Sequence, residues 1–330
     1  MPKQAAALAG VAMMCLAGAA NAAWEPTQPV EIVVPAGAGG ATDQMARMLQ
    51  SVIQKHNLMK QPTAVLLKGG ASGGEGLMDM KASPGNANKF IIAQSSIYTL
   101  PFSTNLPFNW KDMTPVAIIA MDEFVLWVNS EAPYKTAKDF MTAAKAAGEQ
   151  GFRMGGTGSK REDHIISAAV EKVGGTKFAY IPYKSGGEAA TQLVGKHTEA
   201  NVNNPSENVA VWRAGQVRAL CIFDKEKSTY TTKVTADQSW ADIPTCRSEG
   251  IDFDYTMLRG IFLPSGVTPD QVAYYQDLFK KITDTPEFKA YAESQALKAV
   301  FISGDDMTKF LTEDEALHKK LMGDAGFLAK

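Results

Sequence analysis

Short hydrophobic runs along this chain repeatedly end in a glycine- or serine-rich loop and lead into an amphipathic segment. The run PVEIVV at 29–34 is followed by PAGAGGATD, and then by apolar residues between 45 and 53 at the 3.6-residue spacing of one helix face. The same order recurs after TAVLLK at 63–68, FRM at 152–154 and FAYIPY at 178–183. Strands that alternate with helices in this way predict βαβ units and an open α/β sheet.

The glycine-rich loops fall into two groups, at 35–96 and 155–187, which predicts two α/β lobes. Ligands of open α/β sheets bind beyond the carboxyl ends of the strands, so we expect a cleft between the loop-bearing ends of the two lobes. The segment from residue 268 onward is predicted to be helical. Strand candidates without glycine loops, which we expect to cross between the lobes as a hinge, lie at 124–128, 217–223 and 258–264.

The first glycine loop, GAGGAT at 37–42, lacks the third glycine of the dinucleotide-binding fingerprint and the lysine of a Walker loop. A nucleotide phosphate site is therefore not predicted. Backbone N–H groups at a helix N-terminus still favour a small anion, and glycine lets the backbone approach it closely. Several such junctions around one cleft would suit a molecule with two or more carboxylates.

The N-terminal segment has the features of a secretory signal peptide: Lys3, an uncharged run from Ala5 to Ala20, and the small residues ANA at 20–22. The run is shorter than the roughly 20 residues that a membrane-spanning helix needs. We therefore predict cleavage near Ala22 and export to the periplasm. The net charge of −2 gives no electrostatic reason for binding nucleic acid or an anionic membrane surface.

Signatures of catalysis and metal binding are missing from the sequence. The four histidines are dispersed, without the spacing of a metal motif, and no G-x-S-x-G elbow is present. We therefore expect no enzyme activity, no metal and no cofactor. Cys221 and Cys246 remain after cleavage, and in an oxidising compartment they either pair or stay as two buried thiols.

Six motifs in order resemble the solute-binding components of tripartite tricarboxylate transporters, also called Bug receptors, over residues 24–330. The resemblance implies a two-lobed periplasmic binding protein of type II fold, each lobe a mainly parallel sheet flanked by helices, joined by a crossing-strand hinge. Lobe 1 is expected to comprise 23–125 and 224–330, and lobe 2 to comprise 126–223. The motifs are PVEIVVPAGAGGATDQMAR, GGASGGEG, DMTPVAIIA, GGTGSKREDH, YIPYKSGGEAATQLVG and IPTCRSEGID.

The same resemblance implies a function and its partners. A monomeric, non-enzymatic receptor would capture a small di- or tricarboxylate between its lobes and deliver it to the membrane subunits of the transporter. Three alternatives stay open: a receptor for an aromatic carboxylate such as a phthalate, a ligand-sensing adaptor for a signalling kinase, and an exported α/β enzyme. The last is disfavoured by the missing catalytic signature.

Carried over by position, the ligand site of the family falls on loops of both lobes. Thr42 is equally plausible as a helix cap, Ser159 is a plausible cap for which ligand contact is favoured, and capping is favoured for Asp43, whose carboxylate would repel an acidic ligand. Arg259 lies in an apolar run and is expected to be paired, either with protein or with ligand. The implied ligand residues are Gly39, Gly40, Ala41, Thr42, Asp43, Ala71, Ser72, Gly73, Ser95, Ser96, Thr157, Gly158, Ser159, Tyr183, Ser185, Asn203 and Asn204.

Overall fold

The computed structural model describes residues 24–330, so the signal peptide predicted at 1–22 lies outside the described residues. The described chain forms two sheets with helices packed on them. The strands of the first sheet are β1 (Val30–Val34), β2 (Thr63–Leu67), β3 (Lys89–Ala93), β4 (Met113–Glu123), β10 (Thr256–Pro264) and β11 (Lys298–Ser303). Their spatial order is β11-β4-β10-β3-β1-β2.

The second sheet has five strands and lies on the other side of the crossing segments. Its strands are β5 (Val125–Asn129), β6 (Phe152–Thr157), β7 (Phe178–Tyr183), β8 (Ala200–Asn203) and β9 (Val217–Ile222). Their spatial order is β7-β6-β8-β5-β9. The chain enters this sheet at Phe124, between β4 and β5, and leaves it through the long segment 223–255. These findings confirm the two-lobed α/β fold.

Helices connect the strands and cover the sheets. They are α1 (Ala41–Lys55), α2 (Gly74–Lys81), α3 (Ser96–Thr104), α4 (Ala137–Ala146), α5 (Glu162–Gly174), α6 (Gly186–Val194), α7 (Pro205–Arg213), α8 (Pro269–Asp284), α9 (Pro286–Ser294) and α10 (Gly304–Asp324). α8 illustrates how local sequence starts a helix. Thr268 accepts a hydrogen bond from the backbone N–H of Gln271, whose side chain in turn accepts from the N–H of Thr268, and Pro269 occupies the first turn.

Both sheets are mixed, which differs from the mainly parallel sheets that the sequence predicted. Strands joined by a helical crossover are parallel, as β1 is to β2 and β3, and β6 is to β7 and β8. The crossing strands pair antiparallel: β10 with β3 and β4, and β5 with β8 and β9. A strand that arrives from the other lobe has no crossover helix to return it to the starting edge, so it can run in the opposite direction.

Three strands were not predicted, namely β4, β8 and β11. β8 has only four residues, all buried, so it shows no alternation of polar and apolar positions. β11 interrupts the C-terminal segment that was predicted to be helical, and it pairs with β4 alone at the edge of the first sheet. Its conformation therefore depends on a partner that lies far away in sequence.

Each sheet has its own hydrophobic core. In the first lobe, the predicted apolar face of α1, including Met45, Leu49 and Ile53, is buried against the sheet. In the second lobe, Cys221 of β9 forms a disulfide with Cys246, so the paired alternative is correct. Neither cysteine is exposed, and the bond ties the segment after β9 back to the sheet.

Candidate ligand-binding cleft

A cleft with a volume of about 130 Å³ lies between the two lobes, at the carboxyl ends of their parallel strands. Four helices begin at this cleft: α1 from the first lobe, and α5, α6 and α7 from the second. The N-terminus of each helix carries backbone N–H groups without a partner inside the helix, and the helix dipole adds partial positive charge there. The cleft is therefore suited to negatively charged groups.

The loop between β1 and α1 leaves the start of its helix open. Gly40 is the N-terminal cap of α1, and as a glycine it offers no side chain to cover the first N–H groups. Asp43 is buried and accepts a hydrogen bond from the backbone N–H of Gly39 at 2.8 Å, while its other oxygen pairs with Arg47 at 2.9 Å. Asp43 thus stabilises the loop from within the first turn of α1, but the cap of this helix is Gly40 and not Asp43, so the capping role that the sequence favoured is wrong.

Glycines in the loop between β2 and α2 allow this loop to pack on the first one. A methyl group at Gly73 would lie 2.5 Å from the carbonyl oxygen of Pro35, and one at Gly69 would lie 2.8 Å from the carbonyl carbon of Ala36. Ser72, between them, adopts a left-handed conformation with φ of 58° and lines the cleft. The glycines at 69 and 73 therefore serve the close approach of two loops.

Arg259 of β10 connects three other parts of the first lobe at the floor of the cleft. Its guanidinium pairs with Asp122 of β4, with 2.9 Å between Nε and Oδ2. Its Nη1 donates to the hydroxyl of Thr42 at 2.7 Å and to the side-chain oxygen of Gln94 at 3.1 Å. Arg259 and Asp122 are almost completely buried. The partner of Arg259 is thus protein, and the hydroxyl of Thr42 is engaged by it.

The second lobe contributes the loops that begin α5, α6 and α7. Ser185 caps α6 by accepting a hydrogen bond from the N–H of Glu188. Thr157 donates its N–H to the buried carboxylate of Asp163. Asn204 precedes α7 and donates its side-chain amide to the carbonyl of Glu123 at 2.9 Å, which links the second lobe to the end of β4.

Acidic groups of the second lobe also face the cleft. Burial raises the pKa of Glu207 to about 7, and the charge of Asp122 acts in the same direction while Arg259 opposes it. Burial and the neighbouring Glu207 raise the pKa of Asp163 well above its usual range. A carboxyl group is harder to ionise where water is excluded and other acidic groups are close. The cleft therefore carries both anion-binding helix ends and its own acids.

Nine of the residues that the sequence implied come together in the cleft. The other eight do not line it. Ser95 and Ser96 are fully buried where α3 begins, Ser159 is exposed, and Asn203 donates to the carbonyl of Gly186 and to Asn208. The lining residues are Gly40, Ala41, Thr42, Ser72, Thr157, Gly158, Tyr183, Ser185 and Asn204. The remaining residues are Gly39, Asp43, Ala71, Gly73, Ser95, Ser96, Ser159 and Asn203.

Several cleft residues were missed by reasoning from the sequence. Gln94 directly follows the buried strand β3, and that position at a strand end is the signal that could have found it. Charged residues beside loops are most often solvated, but the side chain of Arg161 is only 11% exposed and lines the cleft. In the sequence, Glu162 and Glu207 resemble the acidic residues that commonly occupy the first turn of a helix. No local pattern distinguishes them from acidic residues outside a binding site.

Within residues 24–330, no group of three or more potential metal-ligating side chains is close enough to hold an ion. Over the same residues, no helix combines the length and the apolar composition that crossing a membrane requires.

Comparison with known proteins agrees with the fold. The model of the tripartite tricarboxylate transporter family receptors, TctC, matches residues 45–327. A UPF0065 protein from the gbd 5' region of Cupriavidus necator is 26% identical over 329 residues, which cover 99% of this chain and 96% of that protein.

Two solved structures show the same architecture. A TctC solute-binding protein from Polaromonas, solved without ligand, is 27% identical, covers 90% of this chain and 99% of its own, and has a TM-score of 0.67. Rpa4515 of R. palustris, solved with adipate, is 19% identical, covers 91% of this chain and 98% of its own, and has a TM-score of 0.82. At this identity the similarity shows the fold alone. Because the family model matches most of its length, this chain belongs to the tripartite tricarboxylate transporter receptors, the TctC or Bug family of periplasmic solute-binding proteins.

Proposed function

We propose that this receptor captures a small organic carboxylate in the cleft between its lobes and delivers it to the membrane subunits of a tripartite tricarboxylate transporter. The protein acts as a monomer without catalysing a reaction on its ligand. Lobe 1 comprises 23–125 and 224–330, lobe 2 comprises 126–223, and the lobes close on the ligand about the crossing segments. The observation that carries this proposal is the start of four helices from both lobes at one cleft.

Backbone N–H groups of these helix starts supply enough energy for capture. One hydrogen bond to a charged group contributes about 1.5–3 kcal/mol. Four to six such bonds, less the cost of ordering and closure, reach the roughly 8 kcal/mol of a micromolar complex. The loop residues Gly40, Thr157 and Ser185 are among those proposed to contact the carboxylates.

The size of the cleft favours a small aliphatic acid. Its volume of about 130 Å³ is well below the roughly 300–1,000 Å³ typical of pockets for drug-sized ligands. Two aromatic side chains, Phe124 and Tyr183, line it, and most of its other lining groups are polar or glycine. Rpa4515, which shares the fold, was solved with adipate, a linear dicarboxylate.

Ligand-free protein and one loop variant test this proposal. We expect one class of small carboxylates to raise Tm by several degrees, because a ligand held at 100 times its Kd adds about 2.7 kcal/mol. Gly40→Val should abolish this shift. Gly40 has an extended backbone that valine also adopts, and its side-chain position faces only a carbonyl at 3.6 Å, so the variant should fold.

Gly323→Val is the matched control, because Gly323 is exposed near the end of α10, outside the cleft, and only Cδ1 of Leu328 lies within 4 Å of its side-chain position, at 3.6 Å. It should retain the full shift. A folded protein that responds to no mono-, di- or tricarboxylate would refute the proposed function. Equal binding by the Gly40 variant would remove the first loop from the site.

A further inference from the structure

The cleft contains three carboxylate groups of the protein itself. Glu162, Asp163 and Glu207 all line it. The cations that line it are Arg161, Lys184 and Arg259, and the last is already paired with Asp122. A ligand that carried only negative charge would therefore leave the acceptor oxygens of these acids without a complementary group.

Glu162 lines the cleft, and one of its carboxylate oxygens has no partner within the described chain. Its side chain is 5% exposed, and its Oε2 accepts a hydrogen bond from Nε of Arg161 at 3.2 Å. Its Oε1 is buried and has no hydrogen-bond partner anywhere in residues 24–330. A buried carboxylate oxygen without a partner is costly, so a cation that binds close to Glu162 would stabilise this carboxylate.

Glu207 places a second carboxylate between the lobes. A methyl group added to Gly186, in the first turn of α6, would lie 1.8 Å from its Oε2. The backbone N–H of Ala41, in the first turn of α1, lies near the same carboxylate, and both residues line the cleft. Glu207 thus lies close to one helix start of each lobe, where an anionic group of the ligand would otherwise bind.

Arg161 supplies the opposite charge a short distance away. Its Nε is engaged by Glu162, but in the described chain neither Nη atom has a hydrogen-bond partner. A guanidinium with two free Nη donors binds a carboxylate in bidentate geometry. The cleft therefore has an anion-binding side at Arg161 and the helix starts, and an acceptor side at Glu162 and Glu207.

We propose that the ligand is a zwitterion, a short-chain carboxylic acid that also carries an ammonium group. The ammonium group binds between the side chains of Glu162 and Glu207, while a carboxylate of the ligand binds Arg161 and free backbone N–H groups. This inference rests on the proposed function and narrows its ligand class to amino acids. Specificity then arises from two side chains that reject a plain dicarboxylate.

Titration calorimetry on the ligand-free mature protein tests this with two matched pairs of acids, L-aspartate with succinate and L-glutamate with glutarate. In each pair the carbon chain and both carboxylates are the same, and only the ammonium group differs. We expect the amino acid of at least one pair to bind at least tenfold more tightly than its partner. Glu162→Gln and Glu207→Gln should each reduce that ratio towards one. Glu149→Gln, an exposed acid outside the cleft, should leave it unchanged.

The ratio of the two affinities within each pair, measured on the unmodified protein, tests the zwitterion proposal even if a variant does not fold. Succinate or glutarate binding as tightly as the amino acid, or more tightly, overturns the zwitterion while the carboxylate receptor stands. A ratio that survives both glutamine variants overturns the assignment of the two acids. A folded protein that binds none of the four acids but shows a thermal shift with another carboxylate refutes this inference alone. No response to any carboxylate refutes the proposed function as well.

Discussion

Glu123 ends β4 at the point where the chain crosses to the second lobe, and replacing it with glutamine should stabilise the protein in a pH-dependent way. Its side chain is 1% exposed. Asp224, on the other crossing segment, lies beside it, and Lys298 of β11 pairs with Asp224 and lies 3.7 Å from Oε1 of Glu123. Burial, together with the hydrogen bond and charge of Asp224, raises the pKa of Glu123 to about 9, against a weaker opposing effect of Lys298.

The sign of the effect follows from the direction of this shift. A carboxyl whose pKa is raised by folding contributes its full stability below its unfolded value, here 4.5, and loses it as the pH rises through about 9. Each pH unit above 4.5 lowers the free energy of unfolding by about 1.4 kcal/mol, so the loss reaches about 3 kcal/mol at pH 7. Glutamine at 123 resembles the protonated acid and removes this dependence.

Urea unfolding followed by circular dichroism between pH 4.5 and 9 measures the difference between the two proteins. We expect the free energies of unfolding to be similar at pH 4.5, and the Glu123→Gln variant to be the more stable by about 3 kcal/mol at pH 7. Glu149→Gln, on the surface, is the matched control and should track the unmodified protein throughout. A difference that stays constant across this pH range would show that Glu123 does not hold its proton, and the reasoning would be wrong.

Two further predictions concern the disulfide and a glycine beside the cleft. Changing Cys221 and Cys246 together to serine should lower the free energy of unfolding by about 3.5 kcal/mol, since the bond closes a loop with a sequence separation of 25; an unchanged urea midpoint would contradict this. Gly186→Ala should displace the carboxylate of Glu207 and change affinity for the cleft ligand at least tenfold, whereas Gly187→Ala should not, as calorimetry would reveal.

Much of the architecture could be predicted because it depends on neighbours in sequence. The apolar face of α1 follows from a period that the chain carries within one helix, and the start of α8 from a threonine and a glutamine three residues apart. The positions of the glycine loops indicated which helix N-termini would open towards a ligand. Most of those loops line the cleft. The paired state of Cys221 and Cys246 was left open, because distance in space cannot be read from spacing along the chain.

The site residues that were missed share a physical cause. Arg161, Glu162 and Glu207 are charged residues at helix starts, and most residues of that kind are solvated. Their burial in the cleft results from the approach of the other lobe, which brings α1 against the loops of α5, α6 and α7. Arg259 was expected to be paired, but its partner Asp122 lies on a neighbouring strand that the sequence did not predict.

The sequence by itself determined the alternation of strands and helices, the positions of the open helix starts and the resemblance to a receptor family, since each depends on local pattern or on ordered motifs. The tertiary structure decided the mixed order of the strands, the disulfide, the partner of Arg259 and the acids that face the ligand. Those features arise from contacts between segments far apart in the chain. Burial then raises the pKa of Glu207 above the value that this carboxyl has in water.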